Sequence, residues 1–219
     1  SRRGVYCSKY PNSEFSVSQF DDQHAQGNIR YKRIQHKWQK GKCVYCGTTE
    51  SEFARSDELE THAYEWIHVE NPEEIFSMKF DVIIGNPPYQ LNDGGNGVSA
   101  SPIYQLFIQQ AKKLNPRYLS MIIPSRWFTG GKGLDNFREE MLNDNHITKI
   151  VDYINSKDCF PGMSVGGGIC YFLRERDRVA DCEFTSINGN KISTATRKLN
   201  EYDVFIRYNE GLSIVHKAM

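Results

Sequence analysis

The run Phe80-Asp81-Val82-Ile83-Ile84-Gly85 stops abruptly at Asn86-Pro87-Pro88-Tyr89, and this junction constrains the fold more than any other stretch of the 219 residues. A short apolar run rich in β-branched residues favours a strand, and one apolar on successive positions suits a parallel sheet covered on both faces. Neither proline can extend that strand, because each lacks an N–H and holds φ at about −65°. The strand therefore ends at Gly85, which leaves Asn86 at its carboxyl end. Downstream, residues 102–114 have helical spacing, with Ile103, Leu106, Phe107 and Leu114 able to share a buried stripe. Residues 118–124, 147–154 and 168–173 read as strands and 134–143 as a helix. This alternation from 80 to 175 predicts an α/β domain. Residues 183–207 read as extended and looser, and 209–219 as the start of a helix.

The junction is also the most specific chemical feature. Sheets of this class place ligands at the carboxyl ends of their strands. There, an Asn side-chain oxygen and a Pro carbonyl can together accept both hydrogens of an exocyclic amine. An aromatic ring three residues after the Asn can stack on the base carrying that amine. The plain alternative is a strand that ends in a proline-rich turn.

Charge narrows the possible partners. Lys+Arg and Asp+Glu both number 27, which excludes a uniformly basic, polyanion-coating protein. The balance is uneven, however: residues 1–50 hold nine Lys/Arg against four Asp/Glu, and residues 51–80 hold two against eight. Arg30, Lys32, Arg33, Lys37, Lys40 and Lys42, interleaved with Tyr31 and Trp38, suit either a nucleic-acid contact or a solvated surface. No run approaches the roughly 18–20 apolar residues of a membrane span. The chain begins Ser1-Arg2-Arg3-Gly4, without an initiator Met or an apolar signal segment, so it reads as part of a longer polypeptide. Of the six cysteines only Cys43 and Cys46 lie close together, which favours a reduced, cytoplasmic protein over a disulfide scaffold.

Those two cysteines form a Cys-x-x-Cys knuckle followed by His62 and His68. The spacing Cys-x2-Cys-x15-His-x5-His is compatible with a tetrahedral structural zinc, provided any helix through the histidines ends between them. The alternative is two buried thiols and two ordinary histidines. The same stretch, CVYCG followed by ELETH, resembles the start of an HNH-type nuclease. However, Thr61 stands where that family would have Asp or His before His62, and no second Cys-x-x-Cys follows. A further alternative is a zinc-containing, non-catalytic DNA-binding module.

Asn86-Pro87-Pro88-Tyr89 after DVIIG resembles the catalytic motif of DNA methyltransferases that act on adenine N6. IPSRWF at 123–128, the Phe160-Pro161-Gly162 turn and GGGICYFL at 166–173 extend the likeness. So does ETHAYEWIHVENPEEIF just before the motif, which is similar to adenine methylases fused into type II restriction–modification enzymes. The resemblance implies a Rossmann-like methyltransferase sheet, here its catalytic half, behind a small N-terminal segment. It implies S-adenosylmethionine as methyl donor, double-stranded DNA as partner, no membrane, and a bacterial cytoplasmic location. Asn86, Pro87, Pro88 and Tyr89 would form the catalytic motif, with Asn86 also facing the cofactor and Tyr89 stacking on a flipped base. Phe160 is the candidate for a second, edge-on contact. The expected organisation is a basic segment with the knuckle over 1–56, the catalytic half over 57–182, and an extended segment over 183–219 leading toward a target-recognition region. The family's Asp/Glu-Pro-x-x-Gly-x-Gly cofactor loop does not occur in residues 1–79. The cofactor-binding segment is therefore expected in a missing part of the parent chain.

Overall fold

The computed structural model describes residues 38–43, 66–67, 70–74, 79–90 and 101–218. Two compact units, Ser1–Lys79 and Phe80–Met219, divide the chain. In the first, strands β1 (Trp38–Gln39) and β2 (Lys42–Cys43) pair antiparallel, with Trp38 opposite Cys43. Lys40 and Gly41 connect them with φ values of 51° and 73°, as a two-residue hairpin turn between right-twisted strands requires. Trp66 and Ile67 are helical. Pro72–Glu74 is a short 3-10 turn.

The second unit is built on a six-stranded sheet. Its strands are β3 (Val82–Gly85), β4 (Tyr118–Pro124), β5 (Ile147–Tyr153), β6 (Ile169–Glu175), β7 (Cys182–Asn188) and β8 (Lys191–Arg197), ordered β3-β4-β6-β5-β7-β8. Strand β3 runs parallel to β4 and β5 parallel to β7, whereas β6 is antiparallel to both β4 and β5, and β8 is antiparallel to β7. The carboxyl ends of β3, β4, β5 and β7 therefore share one edge with the amino end of β6.

Helices α1 (Tyr104–Lys113) and α2 (Asp135–Asn143) alternate with the strands, and α3 (Asn209–Ala218) closes the described chain. The buried face of α1 is Tyr104, Phe107, Ile108 and Ala111, while Leu106 and Leu114 are only half-buried. The stripe is thus turned by one position from the expected one, because Tyr104 rather than Leu106 meets Phe137 of α2 edge to face at 6.0 Å. Pro116 ends α1: Asn115 takes a left-handed φ of 48° before it and donates its N–H to the Lys112 carbonyl at 2.9 Å.

The core lies on one face of the sheet, where Leu119, Met121, Ile123, Ile150, Cys170, Phe172 and Phe184 meet the two helices. Alternation places the described core on that face. Along β4, Leu119, Met121 and Ile123 point inward while Tyr118, Ser120 and Ile122 are half-buried. Among the described residues β3 lies at one edge of the sheet and β8 at the other; Val82 and Ile84 are 54% and 75% exposed, with Ile83 packed against the core. The expected parallel sheet is corrected to a mixed one, and the described helices α1 and α2 cover one of its faces.

The segment expected as extended at 183–207 does contain two strands, but they belong to the sheet rather than forming a looser segment. Residues 182–197 form a hairpin whose β7 pairs with β5, so the boundary expected between 182 and 183 falls inside a strand of the same sheet. A two-residue loop at Gly189 and Asn190 joins its strands, and the alternation Cys182, Phe184, Ser186 supplies its buried side.

Candidate active site

Asn86 begins the segment after β3 and is exposed, whereas Pro87 is buried and Pro88 and Tyr89 are half-buried. The end of the motif is pinned to the start of α1. The Tyr89 carbonyl accepts the Ile103 N–H at 3.2 Å, and Gln90 bridges to Pro102. With prolines fixing the backbone between, Asn86 is held at the strand end by stiff chain on one side and sheet on the other. The Tyr89 hydroxyl is buried with no hydrogen-bond partner among the described residues. Burial pushes its pKa up to about 12, and the nearby Cys159 and Cys170 thiols act the same way. The polar end of the ring therefore faces the start of β6 and the segment after β5.

That segment carries Phe160. A 3-10 turn, Ser156–Asp158, follows β5, and Phe160 is half-buried just beyond it, its N–H donating to the Ser156 carbonyl at 2.8 Å. The turn is held from inside: the buried Ser156 Oγ donates to the Met163 carbonyl at 3.2 Å and accepts the Val165 N–H at 2.8 Å. The structure thus brings Tyr89 and the turn before Phe160 to one edge of the sheet.

Beneath this edge is a buried network with no local sign in the sequence. Asp152, near the end of β5, is fully buried. Its carboxylate accepts the Ser125 Oγ–H at 2.6 Å and Arg207 Nη2 at 2.7 Å, and Arg207 Nε donates to its other oxygen. The Ser125 N–H donates to the Gly168 carbonyl at 3.0 Å. Only glycine fits at 168: φ is 86°, and a Cβ would lie 2.3 Å from the Tyr153 carbonyl oxygen and 2.6 Å from Arg207 Nη2. Three segments after or before β4, β5 and β6 are tied together in this way. Trp127 Nε1 donates to Cys170 Sγ at 3.4 Å, and burial, reinforced by Asp152, raises that thiol to about 12. Cys170 is therefore a neutral packing thiol, not a nucleophile.

The residues described do not build a holder for S-adenosylmethionine. Gly166, Gly167 and Gly168 precede a strand rather than a helix. The 130–133 loop does precede α2, but its Gly130 N–H is taken by the Trp127 carbonyl and its Gly131 N–H by the Asp135 carboxylate. Only Asn86, of the residues expected to face a cofactor, stands open. Among the expected zinc ligands, Cys43 ends β2, while Cys46, His62 and His68 lie outside the described residues. No group of three or more potential metal ligands occurs among the described residues. Among them, too, no helix is long and apolar enough to cross a membrane.

The model of the Eco57I restriction-modification methylase family matches residues 1–160. The chain belongs to this family. It is 42% identical over 144 residues to a Mycoplasma pneumoniae protein named an uncharacterized adenine-specific methylase, a match covering 60% of this chain and 34% of that one. This Eco57I-family chain thus spans about a third of the length of the curated relative it matches. Among solved structures, it is similar to the type I restriction-modification methyltransferase subunit from Streptococcus thermophilus (13% identity, TM-score 0.37, covering 65% of this chain and 32% of that one). It is also similar to the type IIG restriction endonuclease BpuSI (17% identity, TM-score 0.37, covering 53% and 19%).

Proposed function

We propose that this chain carries the target-amine half of a DNA methyltransferase acting on adenine N6 in a restriction–modification enzyme. The observation that carries the reading is Asn86, exposed at the carboxyl end of β3 and held by the buried Pro87 and the pinned Tyr89. Family membership and the adenine-specific methylase relative support it.

An adenine amine inside a duplex is out of reach, so the nucleotide is extruded to the sheet edge. The Asn86 carboxamide oxygen and the Pro87 carbonyl accept the two amine hydrogens. This draws the nitrogen lone pair away from the ring and frees it for alkylation. The face of Tyr89 stacks on the base, and Phe160 gives a second aromatic contact from the neighbouring turn. S-adenosylmethionine supplies the methyl group when bound.

The test is transfer of labelled methyl from S-adenosylmethionine to duplex DNA by the parent enzyme that carries this chain, with the wild-type enzyme as reference. Incorporation is expected to disappear in Asn86→Ala with the melting temperature unchanged. Equal incorporation by the variant overturns the assignment.

A further inference from the structure

The edge that carries Asn86 also presents two cations in the same way. Arg126 is exposed, yet it sits between Ser125, which is 2% exposed, and the buried Trp127 and Phe128 in the 3-10 turn Ser125–Phe128 that directly follows β4. Lys157 is exposed next to Ser156, which is 3% exposed, in the turn Ser156–Asp158 after β5. In both places a buried serine, hydrogen-bonded inward, fixes the peptide from which the next, charged side chain leaves. Ser125 Oγ donates to Asp152, while Ser156 Oγ bonds the Met163 carbonyl and the Val165 N–H.

Among the described residues no carboxylate pairs with either cation. Three acids on these segments have other partners. Asp152 is consumed by Ser125 and Arg207, Asp158 accepts the Gly189 N–H at 2.8 Å, and Asp135 accepts the Gly131 N–H at 2.8 Å. A solvated surface charge needs no such anchorage, since a long side chain on mobile chain reaches water equally well. Anchoring the backbone under a cation lowers the entropy lost when it grips a fixed anion.

We propose that Arg126 and Lys157 hold the phosphodiester backbone of DNA beside the nucleotide delivered to Asn86. Strands β4 and β5 flank β6, so their ends stand two sheet steps, roughly 10 Å, apart. That span matches about three nucleotides of a strand rising about 3.4 Å per nucleotide. Arg126 follows the strand next to β3 and so lies nearer the motif, with Lys157 farther along the edge. Neither side chain touches the reacting atoms; both are positioning residues. The assignment rests on the methyltransferase reading for its partner, but it is tested by binding alone.

The test uses the whole 219-residue chain and a fluorescent duplex, with affinity measured across a KCl series. Arg126→Ala and Lys157→Ala are each expected to lower the slope of log affinity against log salt by about 0.9, and the double variant by about 1.8. Each single loss weakens binding about eightfold near 0.1 M salt, which follows from that slope. Arg126→Lys retains the slope, as does Lys113→Ala at the far end of α1, and melting temperatures stay constant because both cations are exposed. Unchanged slopes in Arg126→Ala and Lys157→Ala, with firm wild-type binding, overturn this inference and leave the role of Asn86 standing. A wild-type chain that binds no DNA overturns both.

Discussion

Tyr89 shows how much one residue can carry. Its carbonyl anchors the motif to α1, its ring is the proposed stacking surface, and its hydroxyl is buried without a hydrogen-bond partner among the described residues. These functions can be separated by substitution. Tyr89→Ala is expected to weaken binding of DNA with a mismatched, readily extruded adenine by about 1–3 kcal/mol, a stacking-sized loss. Tyr89→Phe should bind as the wild type does and melt no lower, since an unpartnered buried hydroxyl costs free energy rather than supplying it. Fluorescence titration and a thermal melt check both, and weak binding by Tyr89→Phe would assign the hydroxyl a contact with the base. At this scale the motif was legible because its cause is local: two prolines must end a strand wherever it lies. The Asp152–Arg207 pair was not legible, because its members stand 55 residues apart and meet only when the segment after β8 folds beneath Gly168.

Ion pairing ties elements together at the opposite edge of the sheet. Lys112 of α1 and Arg174 of β6 both reach Asp144, at the end of α2, at 2.8 and 2.9 Å. Burial alone would raise the pKa of Asp144. Hydrogen bonds and charge from Lys112, then Arg174, outweigh it and hold the carboxyl below the usual range. A carboxylate with a depressed folded pKa stabilises the fold above its unfolded pKa of about 4 and loses that contribution as pH falls through the folded value. Urea midpoints measured down a pH series should therefore fall below about pH 4, and Asp144→Asn should be weaker at neutral pH with a shallower acid limb. An unaltered acid limb in the variant would assign the acid sensitivity to other carboxylates. Strands β4 and β6 and both internal helices follow from apolar periodicity over seven to ten residues. The β7–β8 hairpin was missed because its buried side includes Ser186 and its partner strand is largely polar, so pairing rather than hydropathy places it in the sheet.

Across the whole molecule, the described metal-ligand candidates are scattered: Cys159, Cys170 and Cys182 are free, and no three ligands cluster. Backbone hydrogen exchange in β4 to β7 is therefore expected to be the same with and without a strong chelator. Faster exchange there on chelation would place a structural metal within the sheet unit. By itself the sequence determined an α/β chain with a strand stopped at Asn86, because secondary structure and its breaks follow from short-range sterics and periodicity. The tertiary structure decided that the sheet is mixed, with β3 and β8 at its two edges among the described residues. It also decided which turns stand beside the motif, and that Arg126 and Lys157 leave those turns in matching ways. These depend on strand order and on contacts across tens of residues, where the free energy comes from burial and pairing that no local window of sequence contains.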